Sequence, residues 1–138
     1  MSFHDIFDEL ETQERVSLLH GATEIQFEEG DVLIQQNQPN KRIFIIMDGD
    51  VRVERVTDED DRVTLATLGL ADIFGEMTLL TGRPASAQVV AASPGKALCL
   101  SHESIRTRMK KYPGFAGRLF YSFAVTLAIR LSETNMKL

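Results

Sequence analysis

The sequence predicts a mainly β fold with flanking helices (α+β), an antiparallel β-roll or jelly roll formed as a single domain of residues 1–138. Three observations predict it. Apolar residues recur at helical spacing in residues 1–21, alternate in short runs between glycine-containing turns in residues 22–100, and return to helical spacing in residues 101–138. Many short strands at regular spacing are typical of rolls and barrels. We therefore expect N-terminal helices, a β-roll and C-terminal helices, in that order.

The N-terminal helical pattern covers residues 3–20. Its apolar positions are Ile6, Phe7, Leu10, Val16, Leu18 and Leu19. Thr12 is a suitable N-cap for a second helix, because a side-chain hydroxyl can accept a hydrogen bond from a free amide of the first turn. Glu14 suits the positive end of that helix, and Gly21 is expected to end it.

The strand region contains one strong strand signal and one strong turn signal. Residues 43–47 (IFIIM) form a short, continuous apolar run, which predicts a strand buried on both faces. Asp48, Gly49 and Asp50 follow it and predict a tight hairpin. In the loop before the run, Asn37 is expected to tolerate a positive φ angle.

Two helices are expected after the strands. Ser101 is a candidate N-cap, and a break at residues 112–114 (YPG) separates the first helix from the second, Phe115 to Leu138. In the second helix, a coiled-coil-like seam is formed by Phe120, Ala124, Leu127, Leu131 and Leu138. This seam either covers the chain's own β-roll or pairs with a second copy, and its length favours a homodimer.

Composition restricts the class of protein. The net charge is −5, which argues against a protein that coats nucleic acid. One cysteine, Cys99, allows no disulfide within the chain, and no signal peptide or membrane-spanning stretch is visible, so we expect a cytoplasmic protein. The three histidines lie outside the predicted strands without a close pair, which predicts no metal site. No pattern of a nucleophile or of paired carboxylates indicates an enzyme.

The stretch with the clearest chemistry is residues 74–90, FGEMTLLTGRPASAQVV. The first turn of a short helix after Gly75 would present free backbone N–H groups, and such groups attract anions. Glycine would also let a ligand approach the backbone closely. This stretch resembles the phosphate-binding cassette of cyclic nucleotide-binding domains, the sensor modules of cAMP-receptor-like regulators. The order of elements is similar to that family over nearly the whole chain.

The resemblance implies a set of ligand contacts within the cassette. These are Phe74, Gly75, Glu76, Met77, Thr78, Arg83, Pro84, Ala85, Ser86, Ala87 and Gln88. Glu76 would accept hydrogen bonds from the ribose 2′-hydroxyl; alternatively, backbone amides of its own helix satisfy the carboxylate. Ala85 stands where the family has an arginine that binds the cyclic phosphate. Arg83 could reach back toward that position, Ser86 offers one hydroxyl, and Gln88 offers an amide.

Two functions follow from these residues. The first is a stand-alone regulatory sensor that binds a small anionic ligand, a cyclic nucleotide such as cAMP or cGMP or a related nucleotide, and signals to a protein partner through its C-terminal helix. The second is a degenerate, non-binding β-roll that serves as a dimerisation or docking module. Because the chain stops at Leu138, we expect no helix-turn-helix and no direct DNA binding.

Overall fold

A computed structural model describes residues 8–136 of the chain, with side chains as far as Glu133. The residues group into two compact units, one formed by residues 22–103 and one by the segments before and after it. The elements in chain order are α1 (Thr12–His20), β1 (Thr23–Phe27), β2 (Val32–Ile34), β3 (Arg42–Asp48), β4 (Val51–Val56), β5 (Arg62–Leu68), β6 (Ile73–Phe74), α2 (Glu76–Thr81), β7 (Gln88–Ala91), β8 (Gly95–Ser101), α3 (His102–Lys111) and α4 (Phe115–Met136).

The eight strands form two four-stranded antiparallel sheets, with strand orders β1-β8-β3-β6 and β2-β7-β4-β5. One hydrophobic cluster takes side chains from both sheets, namely Phe27, Ile34, Phe44, Ile46, Val51, Leu68, Phe74, Ala85, Val89, Ala91, Ala97 and Cys99. The predicted antiparallel β-roll with flanking helices, including the long C-terminal one, is confirmed.

Strand β3 confirms the strand predicted over residues 43–47 and extends it by one residue at each end. Its four central residues are at most 4% exposed, whereas Met47 is 43% exposed. Phe44 and Ile46 belong to the core cluster. Because side chains alternate along a strand, Arg42 begins β3 on the same face as these two residues. The loop before β3 contains Asn37 with a φ of 67°, as predicted.

Strand β5 lies at an edge of its sheet. Val63 and Leu65, at alternate positions of β5, are 48% and 47% exposed. Ala66 and Leu68 contact the core instead. The register between β4 and β5 shifts at a bulge beside Val53, and an extra residue there changes which side chains face inward.

The helical unit begins with α1, whose N-cap is Glu11, not Thr12 as predicted. Glu11 and Glu14 form a capping box: the Glu11 N–H donates to Glu14 Oε1 at 2.9 Å. Glu14 is only 1% exposed and also accepts two hydrogen bonds from the Arg118 guanidinium of α4, one from Nε at 2.8 Å. A carboxylate that accepts three hydrogen bonds is a stronger cap than a single hydroxyl. Gly21 is the C-cap, as predicted.

Helix α3 directly follows Ser101, and α4 begins at the predicted residue. The buried side of α4 carries Phe115, Leu119 and Phe123. The predicted seam falls elsewhere on the helix: Phe120 and Leu131 are 38% and 62% exposed, Ala124 is exposed and Leu127 is half-buried. Leu138 lies outside the described residues. Among the described helices, none combines the length and apolar character needed to cross a membrane.

Candidate functional site

The cassette starts where β6 passes into α2. Phe74 is 3% exposed, and its ring stacks on Phe44 with centroids 4.7 Å apart and planes 11° from parallel. Glu76 is the first residue of α2 and is 2% exposed, whereas the next residue, Met77, is 51% exposed. The short helix predicted in this stretch is present and is fixed to the core through the aromatic pair.

Gly75 has a left-handed backbone conformation, with φ at 93°. A Cβ atom at this position would lie 2.4 Å from the Arg42 carbonyl oxygen. The glycine therefore permits a close approach of the β3 backbone in this structure, and the ligand approach expected from the sequence stays a prediction. Asn40 adds to this junction, because its Nδ2 donates to the Arg42 carbonyl oxygen at 2.8 Å and to Thr78 Oγ1 at 3.0 Å.

The far end of the cassette is joined to the same loop. Ala85 is 6% exposed and belongs to the core cluster. Its N–H donates to the Gln38 carbonyl oxygen at 3.0 Å, and its carbonyl oxygen accepts from the Asn37 N–H at 2.8 Å. The segment 35–41, called here the β2–β3 loop, thus contacts both ends of the cassette. The Ala85 backbone is hydrogen-bonded to that loop.

The remaining predicted residues divide into two groups. Arg83, Pro84 and Ser86 are exposed, and Ala87 is half-buried. Gln88 is 8% exposed, and its Nε2 donates to Glu54 Oε1 at 3.2 Å. The next inward side chains of β7 are those of the core residues 89 and 91, so alternation directs Gln88 to the opposite face of the sheet. The structure does not bring Gln88 to the side of the strand occupied by the core residues.

Arg42 is the polar residue near the cassette that the sequence did not single out. Its guanidinium carbon lies 5.0 Å from the centroid of the Phe44 ring. Burial raises the pKa of the Cys99 thiol, and the nearby Arg42 guanidinium partly opposes this rise. Arg42 also lines a cavity of about 350 Å³, formed by residues 33–35 and 39–42. The apolar run after Arg42 is buried on both faces, so it shows no alternation of apolar and polar residues from which the direction of the Arg42 side chain could be inferred.

No group of three or more histidine, cysteine, aspartate or glutamate side chains within the described part of the chain is arranged to hold a metal ion. The polar groups around the cassette are instead an arginine, amides, hydroxyls and the buried carboxylates of Glu76 and Glu54, the latter bonded to Gln88. This set can hydrogen-bond a polyhydroxylated ligand and balance one negative charge.

Comparisons with known proteins agree with this geometry. The family described as "Cyclic nucleotide-binding domain" matches residues 24–112. A cAMP-dependent protein kinase regulatory subunit of Dictyostelium discoideum is 31% identical over 127 residues, and the match covers 82% of this chain and 39% of that protein. The chain thus spans well under half the length of this relative.

Solved structures agree on the fold. The Thermus thermophilus catabolite activator protein superposes with a TM-score of 0.80 at 26% identity, over 96% of this chain and 61% of that one. A cyclic nucleotide-binding domain from Methylobacillus flagellatus superposes with a TM-score of 0.85 at 22% identity, over 94% of this chain and 72% of that one. The chain therefore belongs to the cyclic nucleotide-binding domain family.

Proposed function

We propose that this chain is a regulatory sensor domain that binds a cyclic nucleotide, or a related nucleotide, at its cassette and signals through α4. The observation that carries the proposal is the buried Glu76 carboxylate at the first position of α2, directly after the left-handed Gly75, in a family cassette sequence. Family membership supports the nucleotide ligand. A cytoplasmic location, a protein partner that reads α4, and the absence of catalysis belong to the same proposal.

Glu76 would accept hydrogen bonds from the ribose hydroxyls of the ligand, which are donors of the right kind for a carboxylate. Only 2% of Glu76 is exposed. A ribose would therefore reach the carboxylate only when the side chains that cover it move aside. The side chains around Glu76 would therefore be arranged differently with and without the ligand. A ligand can shift the balance between two arrangements only if it binds them with different affinity, and this local rearrangement provides that difference.

The test is titration calorimetry of the nucleotide-stripped protein with cAMP and with cGMP. We expect the natural protein to bind at least one of them. Glu76→Gln should weaken that binding about tenfold or more, because hydrogen bonds to a charged acceptor contribute about 1.5–3 kcal/mol. The substitution preserves the size of the side chain, so equal melting temperatures would show that folding is intact. If the natural protein binds neither cAMP nor cGMP, the proposal is overturned, and binding by an Ala85→Arg variant alone would then show that the pocket is intact but lacks its cation.

A second function is favoured by two observations at once. Ala85 provides no cation and packs in the core, and the seam of α4 leaves Phe120 and Leu131 exposed. Both fit a β-roll that binds no nucleotide and serves as a dimerisation or docking module. This alternative predicts that cAMP and cGMP leave the melting temperature unchanged, while substitutions in the seam abolish function.

The dimer is expected under either function and has its own test. Leu127→Glu places a charge in the middle of the seam, and an unpaired charge buried in an interface costs about 3–5 kcal/mol, or over a hundredfold in the dimer dissociation constant. Ser132→Glu, an exposed position on the same helix outside the seam, is the control. Equilibrium sedimentation should show a dimer for the natural protein and the control, and a monomer for Leu127→Glu. A monomeric natural protein at micromolar concentration would contradict the dimer.

A further inference from the structure

The proposed ligand raises a question of charge. A cyclic phosphate carries one negative charge, and an anion that leaves water for a pocket needs a cation or several hydrogen-bond donors. The family answers this need with an arginine at the position of Ala85. Here that side chain is a methyl group in the core cluster, and the Ala85 backbone is hydrogen-bonded to the β2–β3 loop. A cation that balances the ligand must therefore come from a residue other than Ala85.

Arg83 is the nearest cation along the sequence, but it lies on the exposed turn after α2. Its backbone N–H donates to Thr81 Oγ1 at 3.1 Å, and nothing in the described structure directs its side chain toward the core. An exposed arginine whose side chain is held by no contact would lose side-chain entropy on binding a ligand. Arg83 is thus poorly prepared to bind an anion at the cassette.

Arg42 is placed differently. It begins β3 on the face that carries Phe44, and its guanidinium lies over the Phe44 ring at 5.0 Å. Phe44 in turn stacks on Phe74, the residue directly before Gly75. The interaction between the guanidinium and the ring fixes the direction of the side chain before any ligand arrives.

The Arg42 backbone adjoins the cassette as well. Its carbonyl oxygen fills the space where a Cβ of Gly75 would be, and Asn40 links that same oxygen to Thr78 of α2. Arg42 remains exposed and lines the open cavity of about 350 Å³, whose lining residues lie at the end of β2, in the β2–β3 loop and at the start of β3. Among the residues whose side chains the structure describes, its guanidinium makes no ion pair with a carboxylate, and it lies beside the Phe44 ring and the Cys99 thiol. Its positive charge is therefore not balanced by a carboxylate.

We infer that Arg42 is the residue that binds the anionic group of the ligand, the cyclic phosphate monoanion, and so replaces from β3 the cation that the cassette lacks at Ala85. This inference rests on the proposed function. A guanidinium can bind two phosphate oxygens at once, whereas a lysine ammonium acts as a point charge. The ligand is thereby recognised by elements on two sides, with Glu76 on the ribose and Arg42 on the phosphate.

The test compares a charged ligand with its uncharged counterpart. Calorimetric titrations use cAMP against adenosine, or cGMP against guanosine, whichever cyclic nucleotide the natural protein binds more tightly. Arg42→Gln should weaken binding of the cyclic nucleotide about tenfold or more and leave binding of the nucleoside unchanged. Arg83→Gln, the matched arginine on the cassette turn, should change neither. Added salt should lower the affinity for the cyclic nucleotide less in Arg42→Gln than in the natural protein.

The outcomes separate the two proposals. The role of Arg42 is overturned, while the proposed function stands, if Arg42→Gln binds the cyclic nucleotide as tightly as the natural protein does. The same holds if the substitution lowers the affinities for the cyclic nucleotide and the nucleoside by the same factor. If the natural protein binds neither cAMP nor cGMP, the proposed function fails and the role of Arg42 fails with it. If Arg42→Gln does not fold, Arg42→Lys is used instead, because lysine keeps the positive charge but cannot bind two phosphate oxygens at once. Weaker binding of the cyclic nucleotide, with unchanged binding of the nucleoside, is again expected.

Discussion

Gly75→Ala is expected to destabilise the domain by about 3 kcal/mol or more, whether or not any ligand binds. Two costs combine at this residue. Its φ of 93° is a conformation that residues with a Cβ adopt only under strain, and the new Cβ would lie 2.4 Å from the Arg42 carbonyl oxygen. That oxygen is a backbone atom of a central strand and cannot move without disturbing β3. Denaturant unfolding of the ligand-free protein measures the effect.

Gly82→Ala is the matched control for this prediction. Gly82 ends the same short helix with a φ of 68°, yet no atom lies within 4 Å of the position its Cβ would take. The cost should then be the backbone strain alone, about 1 kcal/mol. Equal destabilisation by the two substitutions would contradict the close packing described for Gly75. A loss of nucleotide binding by Gly75→Ala without loss of stability would favour the ligand-contact interpretation made from the sequence.

Glu14→Gln is expected to weaken the helical unit substantially, because one buried carboxylate serves both α1 and α4. It accepts hydrogen bonds from the Glu11 N–H and, on two oxygens, from the Arg118 guanidinium. Glutamine can still accept a hydrogen bond from the Glu11 N–H, so the cap is kept and the loss is that of the charge-assisted hydrogen bonds to Arg118. Such bonds contribute about 1.5–3 kcal/mol, which corresponds to about 4 °C or more in Tm for a domain of this size. Thermal unfolding at pH 7 measures the effect, and Glu24→Gln, at an exposed ion pair with Lys96, is the control.

The same pair predicts how stability depends on pH. Hydrogen bonding to Arg118 is the main cause that holds the pKa of Glu14 below its usual value of 4.5. A carboxyl group whose pKa is lowered by folding stabilises the folded state above its unfolded pKa. The advantage of the natural protein over Glu14→Gln should therefore be complete at neutral pH. It should decrease as the pH falls below about 4.5 toward the lowered pKa. An advantage that does not change with pH over this range would contradict the ion pair.

The sequence predicted those parts of the fold that depend on local pattern. The strand at residues 43–47, the helix in the cassette and the positive φ of Asn37 each follow from a run or a residue type within a few positions. These features need no knowledge of which elements meet in space. The spacing of α4 predicted a seam but not its exposure, because the seam could equally have covered the chain's own β-roll; Phe120 and Leu131 are 38% and 62% exposed.

The parts that could not be predicted depend on contacts between distant residues. The Glu14 carboxylate that caps α1 is bound by Arg118, more than a hundred positions later, and no local pattern at residues 11–14 predicts that partner. The direction of Arg42 is set by a ring pair between β3 and β6. The partner of the Gln88 amide is Glu54 on a neighbouring strand, which no spacing within the cassette could reveal. Sequence spacing carries no information about such pairings.

The contacts of the β2–β3 loop have a consequence for protein engineering. Asn40 bonds the loop to the start of the cassette, while residues 37 and 38 bond it to Ala85 near the end. A cassette transplanted from a relative would therefore lack the hydrogen-bond partners that the β2–β3 loop supplies at both of its ends. Any chimera meant to exchange ligand preference between members of this family should transfer the β2–β3 loop and the cassette together, because the two stretches are hydrogen-bonded to each other.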